Sequence, residues 1–95
     1  MDRLLPIGSV IHTKNANCYT MILGYCKPVE EENTVNWYDY AGCIYPIGYM
    51  DVESTVVFNE EDIDKVIFEG FSNEKYTERE KEVRDFLSSV RNGGK

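Results

Sequence analysis

Along most of the chain apolar and polar positions alternate with a period of two, and only near the end does the spacing turn helical. Val10 to Thr13 reads as a first strand, and Cys18 to Cys26 as a second. The second strand carries Tyr19, Met21, Leu23 and Tyr25 on one side and the smaller set Thr20, Ile22 and Gly24 on the other. Between the two, Lys14-Asn15-Ala16-Asn17 has the chemistry of a hairpin loop. Lys27-Pro28 is expected to end the second strand, and the acidic stretch from Val29 to Val35 to form a mobile loop. A central strand begins at about Asn36, leading into the stretch Trp37 to Met50 that holds the only tryptophan and four of the seven tyrosines. Its period of two places Trp37, Asp39, Ala41 and Cys43 on one face and Tyr38, Tyr40, Gly42 and Ile44 on the other. Pro46 and Gly48 then shape a turn.

The flanking segments are shorter. Leu4 to Ser9 is extended and turn-containing, since Pro6 fixes its own φ and restricts Leu5. Pro-Ile-Gly recurs at residues 46 to 48, but Ser9-Val10 after the first copy and Tyr49-Met50 after the second do not align, so this is reused turn chemistry and not a repeat. Ser54 to Phe58 reads as another strand, and Asn59-Glu60-Glu61-Asp62 as the capped, acidic start of a short helix. Strand character returns over Val66 to Phe71, with Gly70 marking a bend. Thr77-Glu78-Arg79-Glu80 matches a T-x-x-E capping box, ahead of Val83, Phe86, Leu87 and Val90 at helical spacing. Glu80 and Arg84 form an intrahelical pair there. Residues 92 to 95 are expected to fray. The fold class is therefore α+β: a small, bent, mainly antiparallel and barrel-like sheet with one short helix and a C-terminal amphipathic helix, in a single domain over residues 1–91.

Composition narrows the functions open to this fold. Ninety-five residues, 42% of them hydrophobic, suit one domain. A net charge of −7 opposes binding to phosphate backbones and anionic membranes. The longest apolar run, about Tyr19 to Cys26, is too short to insert in a bilayer, and residues 1–6 lack a signal-peptide pattern, so a cytoplasmic protein is expected. Cys18, Cys26 and Cys43 are odd in number and irregular in spacing, which fits reduced structural thiols. With His12 they do not give the paired ligand spacing of zinc, and Glu60, Glu61, Asp62 and Asp64 do not match a calcium loop. One histidine cannot fill every role of a catalytic triad, so no enzyme, metal or cofactor is expected. The binding residues expected instead are the aromatics Tyr38, Tyr40, Tyr45 and Tyr49 with Pro46, flanked by Glu60 and Glu61 as steering charges.

Three stretches also carry a resemblance: Leu5-Pro6-Ile7-Gly8-Ser9-Val10, then Tyr38 to Tyr49, then Phe58 to Phe71. Their order resembles a small family of domains of unknown function from Gram-positive bacteria, with motifs like L-P-I-G-S-V, Y-D-Y-x-G-x-x-Y-P-x-G-Y and F-N-x-x-D-I-x-x-V-x-F-x-G-Y. Phe71 stands where tyrosine is frequent. Genes of that family lie beside LXG-toxin genes of type VIIb secretion. The resemblance implies a non-catalytic accessory protein, a targeting factor or chaperone, that binds the toxin's N-terminal helical region or small helical targeting proteins. An immunity protein that neutralises the toxin's C-terminal domain is the alternative, and a small-molecule-binding domain a further one. Tyr76 to Glu80 also fits the loose Y-x-x-x-[DE] export pattern, with ordinary helix surface the better reading.

Overall fold

One long antiparallel hairpin carries the rest of the chain. The computed structural model describes residues 4–14 and 17–93. Its strands are β1 (Val10–Thr13), β2 (Tyr19–Glu31), β3 (Thr34–Tyr45), β4 (Thr55–Phe58) and β5 (Ile63–Phe68), followed by one α-helix, α1 (Glu74–Gly93). The strands form one antiparallel sheet in the order β4-β3-β2-β1-β5. The α+β class expected from the pattern is observed. The sheet is not closed, however: β4 and β5 are its two edges, so the barrel-like expectation is corrected to an open sheet.

The hairpin is longer than the pattern suggests. Lys27-Pro28 does not end β2, and residues 29–35 are not a loop: the ladder runs from Tyr19↔Tyr45 to Glu31↔Thr34. Glu32 and Asn33, at φ 47° and 67°, reverse the chain in two residues, and two successive left-handed residues give a turn whose twist matches the paired strands. Pro28 is tolerated because β1 covers only Tyr19 to Met21, leaving β2 an edge strand farther out. Burial does not alternate cleanly along β3 either. Asp39 and Cys43 are buried on one parity and Tyr40 and Gly42 on the other. The ladder itself shifts register between Ile22 and Gly24.

The short helix after Asn59 is a single 3-10 turn, Glu60–Asp62, in which Asp62 Oδ2 accepts from the Asn59 N–H at 2.9 Å. The long helix starts earlier than the T-x-x-E reading places it. Asn73 caps it, accepting from the Tyr76 N–H through Oδ1 at 3.0 Å, while Thr77 lies within the first turn and donates back to the Asn73 carbonyl. Glu80 is not a capping partner. It is buried, accepting from the Leu4 N–H at 2.9 Å and from Arg84 Nε at 2.6 Å. Residues 94 and 95, in the expected tail, lie outside the described residues, as do Asn15 and Ala16 of the first loop.

Val83 and Leu87 of α1 join Leu4, Ile11, Ile22, Tyr40 and Phe58 in the core, each such side chain contributing about 1.5–3 kcal/mol by leaving water. Phe86, also on the apolar stripe, is more exposed and meets Trp37 edge-on with centroids 5.0 Å apart. Side chains satisfy all four main-chain groups of Leu4 and Leu5. Tyr76 OH donates to the Leu4 carbonyl and Tyr25 OH to the Leu5 carbonyl, while Glu80 and Tyr40 OH accept from the two N–H groups. The main-chain groups of Leu4 and Leu5 are thereby paired as a strand's would be, although the segment is not a strand.

Candidate functional site

The three stretches that carry the family resemblance meet one another in the fold. Ser9 is fully buried; its hydroxyl donates to the Pro6 carbonyl at 2.7 Å and accepts from the Gly70 N–H at 2.9 Å. Gly70 has to be glycine, because a Cβ there meets the Ile7 carbonyl oxygen at 2.5 Å. Tyr40 ties the first stretch to the second through Leu5, and to the third by donating to Glu60 Oε1. Burial, followed by the Glu60 contact, pushes the Tyr40 phenol far above its usual range, so it stays a neutral donor. Asp39 completes the knot. Its N–H donates to Asn59 Oδ1 at 2.9 Å and its Oδ2 accepts from the Glu60 N–H at 2.8 Å. Much of the motif pattern is therefore fold-making chemistry.

This placement divides the expected binding residues. Tyr40 has no accessible surface and Glu60 is engaged with it, so Tyr40 belongs to the core and Glu60 to its support. Tyr45, Pro46 and Tyr49 are exposed. They lie on a ridge between β3 and β4 in which Tyr45, Ile47, Tyr49, Met50 and Val52 are 53% to 70% accessible. The ridge has a defined shape. The Tyr45–Pro46 peptide is cis, Gly48 adopts φ 84°, and the Gly48 N–H donates to the Ile44 carbonyl at 2.8 Å. Asp51 and Ser54 then cap a 3-10 turn reciprocally, with the Ser54 N–H donating to Asp51 Oδ1 at 2.9 Å. Tyr19, paired with Tyr45 across the sheet, extends the aromatic surface and meets the His12 ring edge-on at 5.8 Å.

Tyr38 and Glu61 lie elsewhere, in an open groove of about 700 Å³. Its walls are residues 35–39 of β3, Asn59 and Glu61 after β4, and Val90 and Arg91 of α1. Arg91 is the residue that sequence reading misses here. Its Nη1 forms an ion pair with Asp39 Oδ1 at 2.9 Å, outside hydrogen-bond geometry, and its Nη2 donates to the Trp37 carbonyl at 2.8 Å. Nothing local in the sequence signals that an arginine in the last turn of α1 reaches Trp37, 54 positions away.

Among the described residues, His12 and the three cysteines do not converge on one centre. His12 Nδ1 lies 3.3 Å from Asp64 Oδ2 and its Nε2 3.2 Å from Asn17 Oδ1, so both ring nitrogens are occupied by polar neighbours. All three cysteines are free thiols, and burial raises the Cys26 thiol above its ordinary pKa, away from nucleophilic use. Among the described residues no group of three or more His, Cys, Asp or Glu is placed to hold a metal ion, and no helix is long and apolar enough to cross a membrane. Among the exposed surfaces are the aromatic ridge from Tyr45 to Val52 and the groove beside β3; Phe68 and Phe71 are exposed as well.

The family described as a domain of unknown function (DUF4176) matches residues 4–79, which span the whole sheet and the first turns of α1. No curated protein and no solved structure matches the chain.

Proposed function

We propose a function from one premise: this chain belongs to the family of domains of unknown function DUF4176. Its role is non-catalytic binding of another protein, and the partner is an LXG toxin of type VIIb secretion, which the chain holds as a targeting factor or chaperone. The observation that carries the binding reading is the ridge of Tyr45, Ile47, Tyr49, Met50 and Val52, five large apolar side chains held in water by a shaped, hydrogen-bonded connection. An apolar surface of that kind is costly to leave bare and marks a contact surface. Support for the toxin as partner comes from the L-P-I-G-S-V-like and Y-P-x-G-Y-like motifs and the gene setting the resemblance implies.

Co-purification with the toxin's N-terminal helical region and, separately, with its C-terminal catalytic domain tests this. The expected result is retention by the N-terminal region, weakened about tenfold or more by Tyr49→Ala, since truncating an aromatic anchor costs about 2 kcal/mol. Tyr49 is exposed and leaves no hole in the core, so the variant keeps its thermal transition. Retention by the catalytic domain alone makes the protein an immunity factor. Equal retention of the parent and Tyr49→Ala removes the ridge from the interface.

A further inference from the structure

We propose that β3 accepts an extended, basic-flanked segment of a partner protein as an added strand, along the edge that β4 leaves free beyond Tyr40. β4 pairs with β3 only from Cys43 to Tyr40, whereas β3 continues to Thr34. Asn59 extends the line of β4 by one residue, its side chain accepting from the Asp39 N–H. On the same side the Trp37 carbonyl accepts from Arg91. In an antiparallel ladder alternate residues direct both main-chain groups to the same side, so Val35, Trp37 and Asp39 all face this edge. Past Asn59 and Arg91, the Trp37 N–H and both groups of Val35 are presented to the groove. That is a short template for main-chain pairing.

The opposite edge of the same hairpin is blunted. Pro28 faces Trp37 in a pair whose main-chain groups point away from each other, so its missing N–H falls on the outer edge of β2. Beside it Cys26 has φ 56°, which breaks the strand conformation. One edge of the arm is thus guarded against strand addition and the other is open.

The groove also selects what enters. Val35, Trp37 and Val90 supply apolar contact, and Val35 is half exposed. The cation present, Arg91, is already paired with Asp39, whereas Glu61 is exposed and Glu30, Glu31 and Glu32 stand at the hairpin tip. The fitting occupant is a β-branched, alternating segment with lysine or arginine at its ends. A second copy of this chain, itself at −7, is repelled.

The test titrates a blocked synthetic peptide, Lys-Val-Thr-Val-Thr-Val-Lys, into the intact protein. Trp37 is the chain's only tryptophan, so its fluorescence reports seating, while amide chemical shifts map the contact. Expected are saturable binding that weakens with salt, the largest shifts at the Val35 and Trp37 amides, and an affinity about tenfold lower in Val35→Pro, which loses one edge donor. Glu61→Gln is expected to flatten the salt dependence. The proposal is overturned if no saturable binding appears into the millimolar range, or if the shifts centre on Tyr45 to Val52. It is equally overturned by a folded Val35→Pro that binds as the parent does, or by a parent that dimerises through these amides. Should Val35→Pro fail to fold, the amide map of the parent decides alone.

Discussion

Replacing Glu80 with alanine probes the contact that fixes the start of the chain to α1. The carboxylate is buried at 3% accessibility and accepts from the Leu4 N–H at 2.9 Å in a buried setting. Alanine leaves that N–H without its partner, and an orphaned buried donor costs about 1–3 kcal/mol. The Arg84 pair, with the arginine 41% exposed, adds about 0.5 kcal/mol at most, and the better helix propensity of alanine returns a few tenths of a kcal/mol. The net loss is about 2 kcal/mol, which for a domain of this size lowers the melting temperature by roughly 10 °C. Thermal melts followed by circular dichroism measure it. Glu80→Gln keeps an oxygen for Leu4 and removes the charge facing Arg84, so it should lose less than half as much. A glutamine variant that falls as far as the alanine variant shows that the ion pair, not the Leu4 hydrogen bond, holds this end. An alanine variant that melts with the parent refutes the reasoning altogether.

The helix start and the half-buried Tyr25 phenol give two further expected outcomes. Asn73→Ala should cost about 1 kcal/mol as a lost cap and Thr77→Ala clearly less; denaturant midpoints ranked the other way would restore Thr77 as the cap. Burial, then the nearby Tyr76 and Glu80, raises the Tyr25 phenol to about 12 from its ordinary 10.0. The neutral phenol is the form the fold favours, so its contribution is complete below pH 10 and is lost as pH rises toward 12, where the unfolded chain has already released its proton. Tyr25→Phe should therefore flatten the alkaline end of the stability profile measured by urea unfolding, and an unchanged alkaline slope counts against this coupling.

The two surfaces differ in how far the sequence reveals them. Tyr45, Pro46 and Tyr49 are readable as an exposed aromatic turn because proline and glycine chemistry is local: Pro46 and Gly48 dictate the bend whatever packs around it. Tyr40 is not separable from Tyr38 and Tyr45 by type, since all three are tyrosines in one strand. Only the neighbours Leu5, Phe58 and Glu60 make Tyr40 a core residue. The groove beside β3 is invisible in the same way. It exists because β4 ends opposite Tyr40 while β3 continues, a mismatch of strand lengths that no local pattern records.

By itself, then, the sequence determined the α+β class, the antiparallel strands, the acidic charge and the amphipathic C-terminal helix, because periodicity, turn residues and charge act over a few residues at a time. The tertiary structure decided four things. It set the open sheet and its strand order, because pairing joins segments as distant as Val10 and Phe68. It continued β2 through Lys27-Pro28, because an edge strand there asks no donor of the proline. It moved the helix cap from Thr77 to Asn73, because Glu80 is drawn inward to the Leu4 N–H. It also turned Asp39 and Arg91, unremarkable in the sequence, into a partly buried ion pair beside an open strand edge, since a helix and a strand far apart in the chain had first to be packed together.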